Sequence, residues 1–218
     1  SGGYANNDAY TNIQNVTGSL FDDLFCGSSV ANIFDGGTGS LHNRVSYAND
    51  TANLVINLSD KTASGANAGK GLNGNAAGDT YINIQDATGG SGNDTFVASS
   101  AENRFDGGAG SDTVSYASSD APVIVNLSAV TLGGVASMRG SGGYANNDEY
   151  TSIENVIGSS GNDIFYASAD TAAAANRFDG GGGTQNRVSY EAATADLLIN
   201  LFNGAATLNG VSVAASSG

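Results

Sequence analysis

Asp94 and Asp112 stand eighteen residues apart, each inside the same phrase. Gly89-Gly90-Ser91-Gly92-Asn93-Asp94 runs into Thr95-Phe96-Val97, and Gly107-Gly108-Ala109-Gly110-Ser111-Asp112 runs into Thr113-Val114-Ser115. Neither loop holds a Lys or Arg, so two carboxylates stacked here would meet no counter-charge from the chain. A hard divalent cation is the natural remedy, because calcium takes about six to eight oxygen ligands, carboxylates and backbone carbonyls together. Gly90, Gly92, Gly108 and Gly110 would present their carbonyls without side-chain obstruction. Weaker versions of the phrase place Asp23 in "GSLFDDLFC" and Asp163 in "GSSGNDIFY". The competing use of all these Asp and Asn side chains is turn capping, which needs no metal.

Something must bring residues eighteen apart into register. Phe96, Phe105, Val114, Val123 and Leu132 are spaced nine apart, a beat far too long for a helix, which the glycines would break in any case. Short segments such as Thr95-Phe96-Val97 suit brief strands, and the Gly-Gly-x-Gly loops supply the positive φ angles of tight turns. Two strands and two turns in eighteen residues make one coil of a parallel β-solenoid, an all-β fold whose backbone bonds go to the coils above and below. Asp94 and Asp112 then stack on one edge in layers roughly 4.8 Å apart. Asn103 is expected to face out on the opposite edge.

The beat sits inside a longer repeat. "YTNIQNVTGS" from Tyr10, "YINIQDATGG" from Tyr81 and "YTSIENVIGS" from Tyr150 are one phrase in three versions. "NIFDGG", "NRFDGG" and "NRFDGG" follow from Asn32, Asn103 and Asn176, and then "LVINL", "VIVNL" and "LLINL" from Leu54, Val123 and Leu197. Three tandem units of about 70 residues are expected, at 1–71, 72–140 and 141–218, forming one continuous solenoid with about four coils, or roughly 19 Å, per unit. "SGGYANND" at Ser1 and Ser141, and "AASSG" at the end, suggest that the array continues at both ends. "YANND" at Tyr4 and Tyr144 reads as a turn. Residues 59 to 79 lack the beat and read as a looped excursion from the coils, and the matching stretch from Ser128 to Glu149 is only somewhat more regular. Tyr47, Tyr116 and Tyr190 recur beside apolar residues and are expected in the core.

Composition excludes several classes. Asp and Glu total 21 against 7 Lys and Arg, a net charge of −14, which repels phosphate backbones and argues against nucleic acid. One Cys (Cys26) and one His (His42) can build neither an internal disulfide nor a Cys/His zinc site. Cys26 is expected to be an ordinary strand residue and His42 a solvated loop residue. No apolar stretch approaches a membrane span. No GxSxG elbow, Walker loop or HExxH appears, so the chain is expected not to be an enzyme.

The two phrases in residues 89–115 match G-G-x-G-x-D-x-U-x throughout and resemble the RTX (repeats-in-toxin) calcium-binding nonapeptide. That resemblance implies a parallel β-roll, one-step export from a bacterium and folding outside the cell on meeting calcium. It implies a calcium site at Asp94 and Asp112, shaped by Gly90, Gly92, Gly108 and Gly110. The outer units depart from the pattern. Phe21 replaces a glycine, and Asn43 and Asn186 stand where the next aspartate would be, so Asp23 and Asp163 are expected to be weak metal positions. The expected function is structural, in an extracellular bacterial surface protein whose partners are further copies of the repeat. Alternatives are an accessory module of an exported enzyme, or a carbohydrate-binding module for surface glycans.

Overall fold

The computed structural model describes residues 7–39, 42–168, 175–201, 205–208 and 211–212. Tyr4 and the closing "AASSG" lie outside the described residues. The fold is all-β and rich in parallel strands, as in a β-roll. Nearly every strand has three residues, because a Gly- or Asn-rich loop interrupts the chain before it can extend further. Side chains alternate along a strand, so in most only the middle residue points inward. Phe25, Phe34, Val45, Ile56, Phe96, Phe105, Val114, Val125 and Phe165 are such middle residues, and all belong to one hydrophobic core.

One sheet has nine strands. In spatial order they are β18 (Arg187–Ser189), β16 (Ile164–Tyr166), β12 (Ile124–Asn126), β13 (Arg139–Ser141), β14 (Glu149–Thr151), β10 (Arg104–Asp106), β8 (Asp86–Thr88), β4 (Arg44–Ser46) and β2 (Leu24–Cys26). Opposite it lie β17 (Arg177–Asp179), β15 (Asn155–Ile157), β11 (Thr113–Ser115), β9 (Thr95–Val97), β5 (Val55–Asn57) and β6 (Gly71–Leu72). A bridge between Lys70 and Thr80 continues these into β7 (Thr80–Ile82), β3 (Ile33–Asp35) and β1 (Asn15–Thr17). The sheets meet through tilted aromatic pairs, with ring centroids 5.6 Å apart for Phe25–Phe34 and 5.4 Å for Phe96–Phe105. The three remaining short strands, β19 (Leu197–Asn200), β20 (Ala205–Leu208) and β21 (Val211–Ser212), pair antiparallel among themselves.

The expected eighteen-residue register holds in the middle of the chain. Thr95, Phe96 and Val97 pair with Thr113, Val114 and Ser115. The nine-residue beat then slips: the turn after β11 is longer, so Val125, not Val123, is the middle residue of β12, and Leu132 lies beyond it, bridging Val135. Asn103 is fully buried rather than outward-facing.

Residues 59 to 79 do not leave the sheet. β6 runs back antiparallel along β5, and β7 resumes beside it, so three consecutive strands occupy one sheet. Asn57 organises the reversal. Its Nδ2 donates to the carbonyls of Lys61, Ala66 and Asn67, and its Oδ1 accepts from the Ser59 N–H and hydroxyl. Asn126 repeats this arrangement with Val130, Val135, Ala136 and Ser128. There β12, β13 and β14 occupy the other sheet. Because each insert adds strands without changing sheets, the two inserts fall on opposite sheets.

Replacing Phe105 with Ala should cost about 3–5 kcal/mol in denaturant unfolding, the range for emptying a buried aromatic site. Leu132→Ala, on the same nine-residue beat but only half-buried, should cost below about 1 kcal/mol.

Candidate metal centre

The turns before β9 and β11 deliver Asp94 and Asp112 with both side chains buried, 1% and 0% exposed. The Asp94 N–H donates to Asp112 Oδ1 at 2.7 Å, which fixes the two residues in adjacent layers. Asp94 Oδ1 accepts the Leu54 N–H at 2.8 Å, and its Oδ2 accepts the Gly90 N–H at 2.7 Å. The Asp112 N–H donates in turn to Glu154 Oε2 at 2.8 Å. Glu154 is a rung that sequence reasoning missed, since it belongs to no Gly-Gly-x-Gly loop. Only the pairing of Thr113 with Asn155 brings it under Asp112.

One oxygen is left over. Asp112 Oδ2 is buried and has no hydrogen-bond partner. Burial pushes the Asp112 carboxyl up to about 7; the Asp94 N–H opposes that rise, and the charges of Asp94, Glu154 and Asp106 add to it. Asp94 is also raised, chiefly by burial.

The four glycines pack layer on layer. A Cβ on Gly108 would lie 2.2 Å from the Gly90 carbonyl oxygen, and one on Gly110 would lie 2.2 Å from that of Gly92. Gly108 and Gly110 also take φ of 89° and 126°, where any other residue is strained. Gly90 and Gly92 do not have positive φ and are required for closeness alone. Their missing side chains would strike the carbonyls of Asp50 and Ala52 at 2.2 Å. The Gly107 carbonyl and Asp94 Oδ2 both crowd the space above Gly89.

Asp23 and Asp163 precede strands of the opposite sheet, β2 and β16, and their oxygens are engaged. Asp163 accepts from the Val123 N–H, the Ser159 N–H and the Ser159 hydroxyl at 2.7, 2.8 and 2.7 Å. Asp23 accepts from the N–H and hydroxyl of Ser19. The next rung is neutral in each case: Asn186 Oδ1 takes the Asp163 N–H, and Asn43 Oδ1 takes that of Asp23. Both outer aspartates are turn caps in this geometry.

Other acids are buried at positions that no motif marks. Asp148, at the end of "YANND", is fully buried; its Oδ1 accepts the Asn103 N–H and its Oδ2 the Tyr116 hydroxyl, which also bonds Tyr150. Asp79, Tyr47 and Tyr81 form the same cluster around the Asn32 N–H. His42 is not freely solvated: its Nδ1 lies 3.4 Å from Asp86. Cys26 is an exposed strand residue.

Among the described residues no three His, Cys, Asp or Glu side chains gather to hold a metal. A cation here would rest on the carboxylates of Asp112 and Asp94 together with loop carbonyls. The residues fit that use, because an orphaned carboxylate oxygen faces excess negative charge and no basic group. Calcium would supply the missing positive charge and link one strand layer to the next.

Without calcium, buried carboxyls with raised pKa values, Asp112 among them, set the pH dependence. Between about pH 4 and 7 the folded chain retains a proton on Asp112 that the unfolded chain has released, so this stability is present below about pH 4 and lost as pH rises toward 7. Asp79, Asp86, Asp94 and Asp148 are raised in the same sense, chiefly by burial. The chelator-treated chain should therefore melt several degrees higher at pH 5 than at pH 8. Asp112→Asn, which keeps an acceptor for the Asp94 N–H, should reduce that difference.

Residues 88–118 match the family model described as RTX calcium-binding nonapeptide repeat (4 copies). No curated protein matches the chain. The matched segment contains β9, β10 and β11 with both loops that carry Asp94 and Asp112. Residues 88–118 are thus RTX-type repeats, of the kind that binds calcium.

Proposed function

We propose that the chain is a calcium-stapled structural segment of an extracellular bacterial surface protein (an adhesin stalk, a surface-layer element or a fibre protomer) and not an enzyme. The observation that carries this reading is the return of a whole strand block. Val55 pairs antiparallel with Leu72 and parallel with Thr95. Its counterpart Ile124 pairs antiparallel with Ser141 and parallel with Ile164. On this reading residues 1–71, 72–140 and 141–218 are three units of one continuous solenoid. β5 to β11 are seven strands divided between two sheets, so a unit advances the stack by roughly 17 Å at 4.8 Å per layer. That is shorter than the 19 Å expected from four coils, because the insert strands stay within one sheet.

Burial favours a structural role over glycan binding. Tyr47, Tyr81, Tyr116 and Tyr150 are 7% exposed or less, so they present no aromatic row to a sugar. No helix among the described residues is long and apolar enough to cross a membrane. RTX repeats occur in secreted bacterial proteins, which supports placing the chain outside the cell, where calcium is abundant.

The test is a calcium titration of the chelator-stripped chain, followed by far-UV circular dichroism and melting, with magnesium as control. Calcium at about 0.1–1 mM, the range of extracellular modules, should raise the melting temperature where magnesium does not. Asp112→Asn should weaken the response, and Asp94→Ala with Asp112→Ala should abolish it. An unchanged melting curve on adding calcium would sink the metal-stapled reading.

A further inference from the structure

The tyrosine–aspartate cluster occurs complete twice, and its parts occur a third time in pieces. Tyr47 and Tyr116 end the phrase Val-Ser-Tyr, and so does Tyr190. Asp79 and Tyr81, like Asp148 and Tyr150, are separated by one residue, as are Asp8 and Tyr10. Tyr81 and Tyr150 are 7% and 3% exposed, whereas Tyr10 is 66% exposed. Tyr190 is half-buried, and neither it nor Asp8 nor Tyr10 makes a side-chain hydrogen bond among the described residues. The N–H groups of Asn32 and Asn103 each reach a cluster aspartate, while that of Asn176 has no such acceptor among the described residues.

Strand registers show how the pieces would meet. Phe34 of β3 pairs with Tyr81, and Phe105 of β10 pairs with Tyr150. The equivalent strand β17, centred on Phe178, ends its sheet with that edge open among the described residues. Val45 of β4 pairs with Ala87, and Val114 of β11 with Val156. The equivalent strand β18 also ends its sheet, and β1, the counterpart of β8 and β15, ends the other. Val188 and Val16, their middle residues, are 38% and 42% exposed although their counterparts are core.

We infer that a second copy of this chain docks end to end. Residues 9–11 of that copy add to β17, its β1 adds to β18, and its Asp8 and Tyr10 close a third tyrosine–aspartate cluster on Tyr190. The inference rests on the proposed structural role and names its partner and register. Both open edges continue strand pairings that the chain already makes twice, and the buried polar cluster rejects any register that leaves Asp8 without the Tyr190 hydroxyl.

The test is disulfide trapping in a Cys26→Ser background. Adjacent parallel strands lie about 4.8 Å apart, within reach of a disulfide. Val16→Cys chains mixed with Val188→Cys chains should form a covalent dimer under mild oxidation. Val16→Cys mixed with Val130→Cys, an exposed site within the second insert, should not. Both partner positions are exposed, so folding is retained. In the reactive pair, Asp8→Ala should slow trapping roughly tenfold, the factor for one charge-assisted hydrogen bond, and Tyr190→Phe should slow it less. Trapping no faster than the Val130 control, or unaffected by Asp8→Ala, would overturn the inference. The calcium response of the unmodified chain tests the structural role separately.

Discussion

Everything in this fold hangs on one hydrogen bond repeated along the edges of the sheets. A polar side chain just before a strand accepts a backbone N–H from the residue in the same position one layer away. Asp112 serves Asp94, Glu154 serves Asp112, Asp148 serves Asn103, Asp163 serves Val123 and Asn43 serves Asp23. Three-residue strands leave little backbone to hold two layers together, so each turn must satisfy its own buried N–H groups. The ladder does this and at the same time fixes the register. A slip of one residue would leave every acceptor facing the wrong group.

The inserts show how the same logic turns the chain around. Asn57 and Asn126 each hold three carbonyls and two donors, enough to anchor a reversal of the chain. The paired tyrosines place two phenols in series on one buried carboxyl, which offsets part of the cost of burying it. Lys61 of the first insert reaches the Ser118 carbonyl and the Asp120 carboxylate, with its ammonium over the Tyr144 ring. The two inserts are therefore tied together although they belong to opposite sheets.

Part of this was legible in the sequence. The eighteen-residue spacing of Asp94 and Asp112 dictates their stacking, because alternation and turn length leave no other parallel register. The glycines announce close approach as well as turns. The sheet on which each insert lies was not legible: it depends on Asn57 and Asn126 folding the chain back, and a single Asn in "VINL" carries no such label. Nor were the tyrosine–aspartate clusters, in which Tyr47 and Tyr116 lie 32 residues before Asp79 and Asp148 and meet them only because β7 and β14 rejoin strands made earlier. Glu154 likewise meets Asp112, 42 residues away, only through the pairing of β11 with β15.

The ladder itself does not explain the charge at its centre. Asn43 and Asn186 accept the same N–H bond, at 3.0 and 2.8 Å, as Asp112 does at 2.7 Å. A neutral amide is thus sufficient for holding two layers in register. Asp94, Asp112 and Glu154 nevertheless stand in consecutive rungs, and their mutual repulsion adds to burial in raising Asp112. Hydrogen bonding alone would favour Asn at the middle rung, since it gives the same bond without the repulsion. The carboxylates there require a compensating positive charge: a proton at low pH or a divalent cation near neutrality. That excess of charge over what the ladder needs is what separates the central turns from the outer ones.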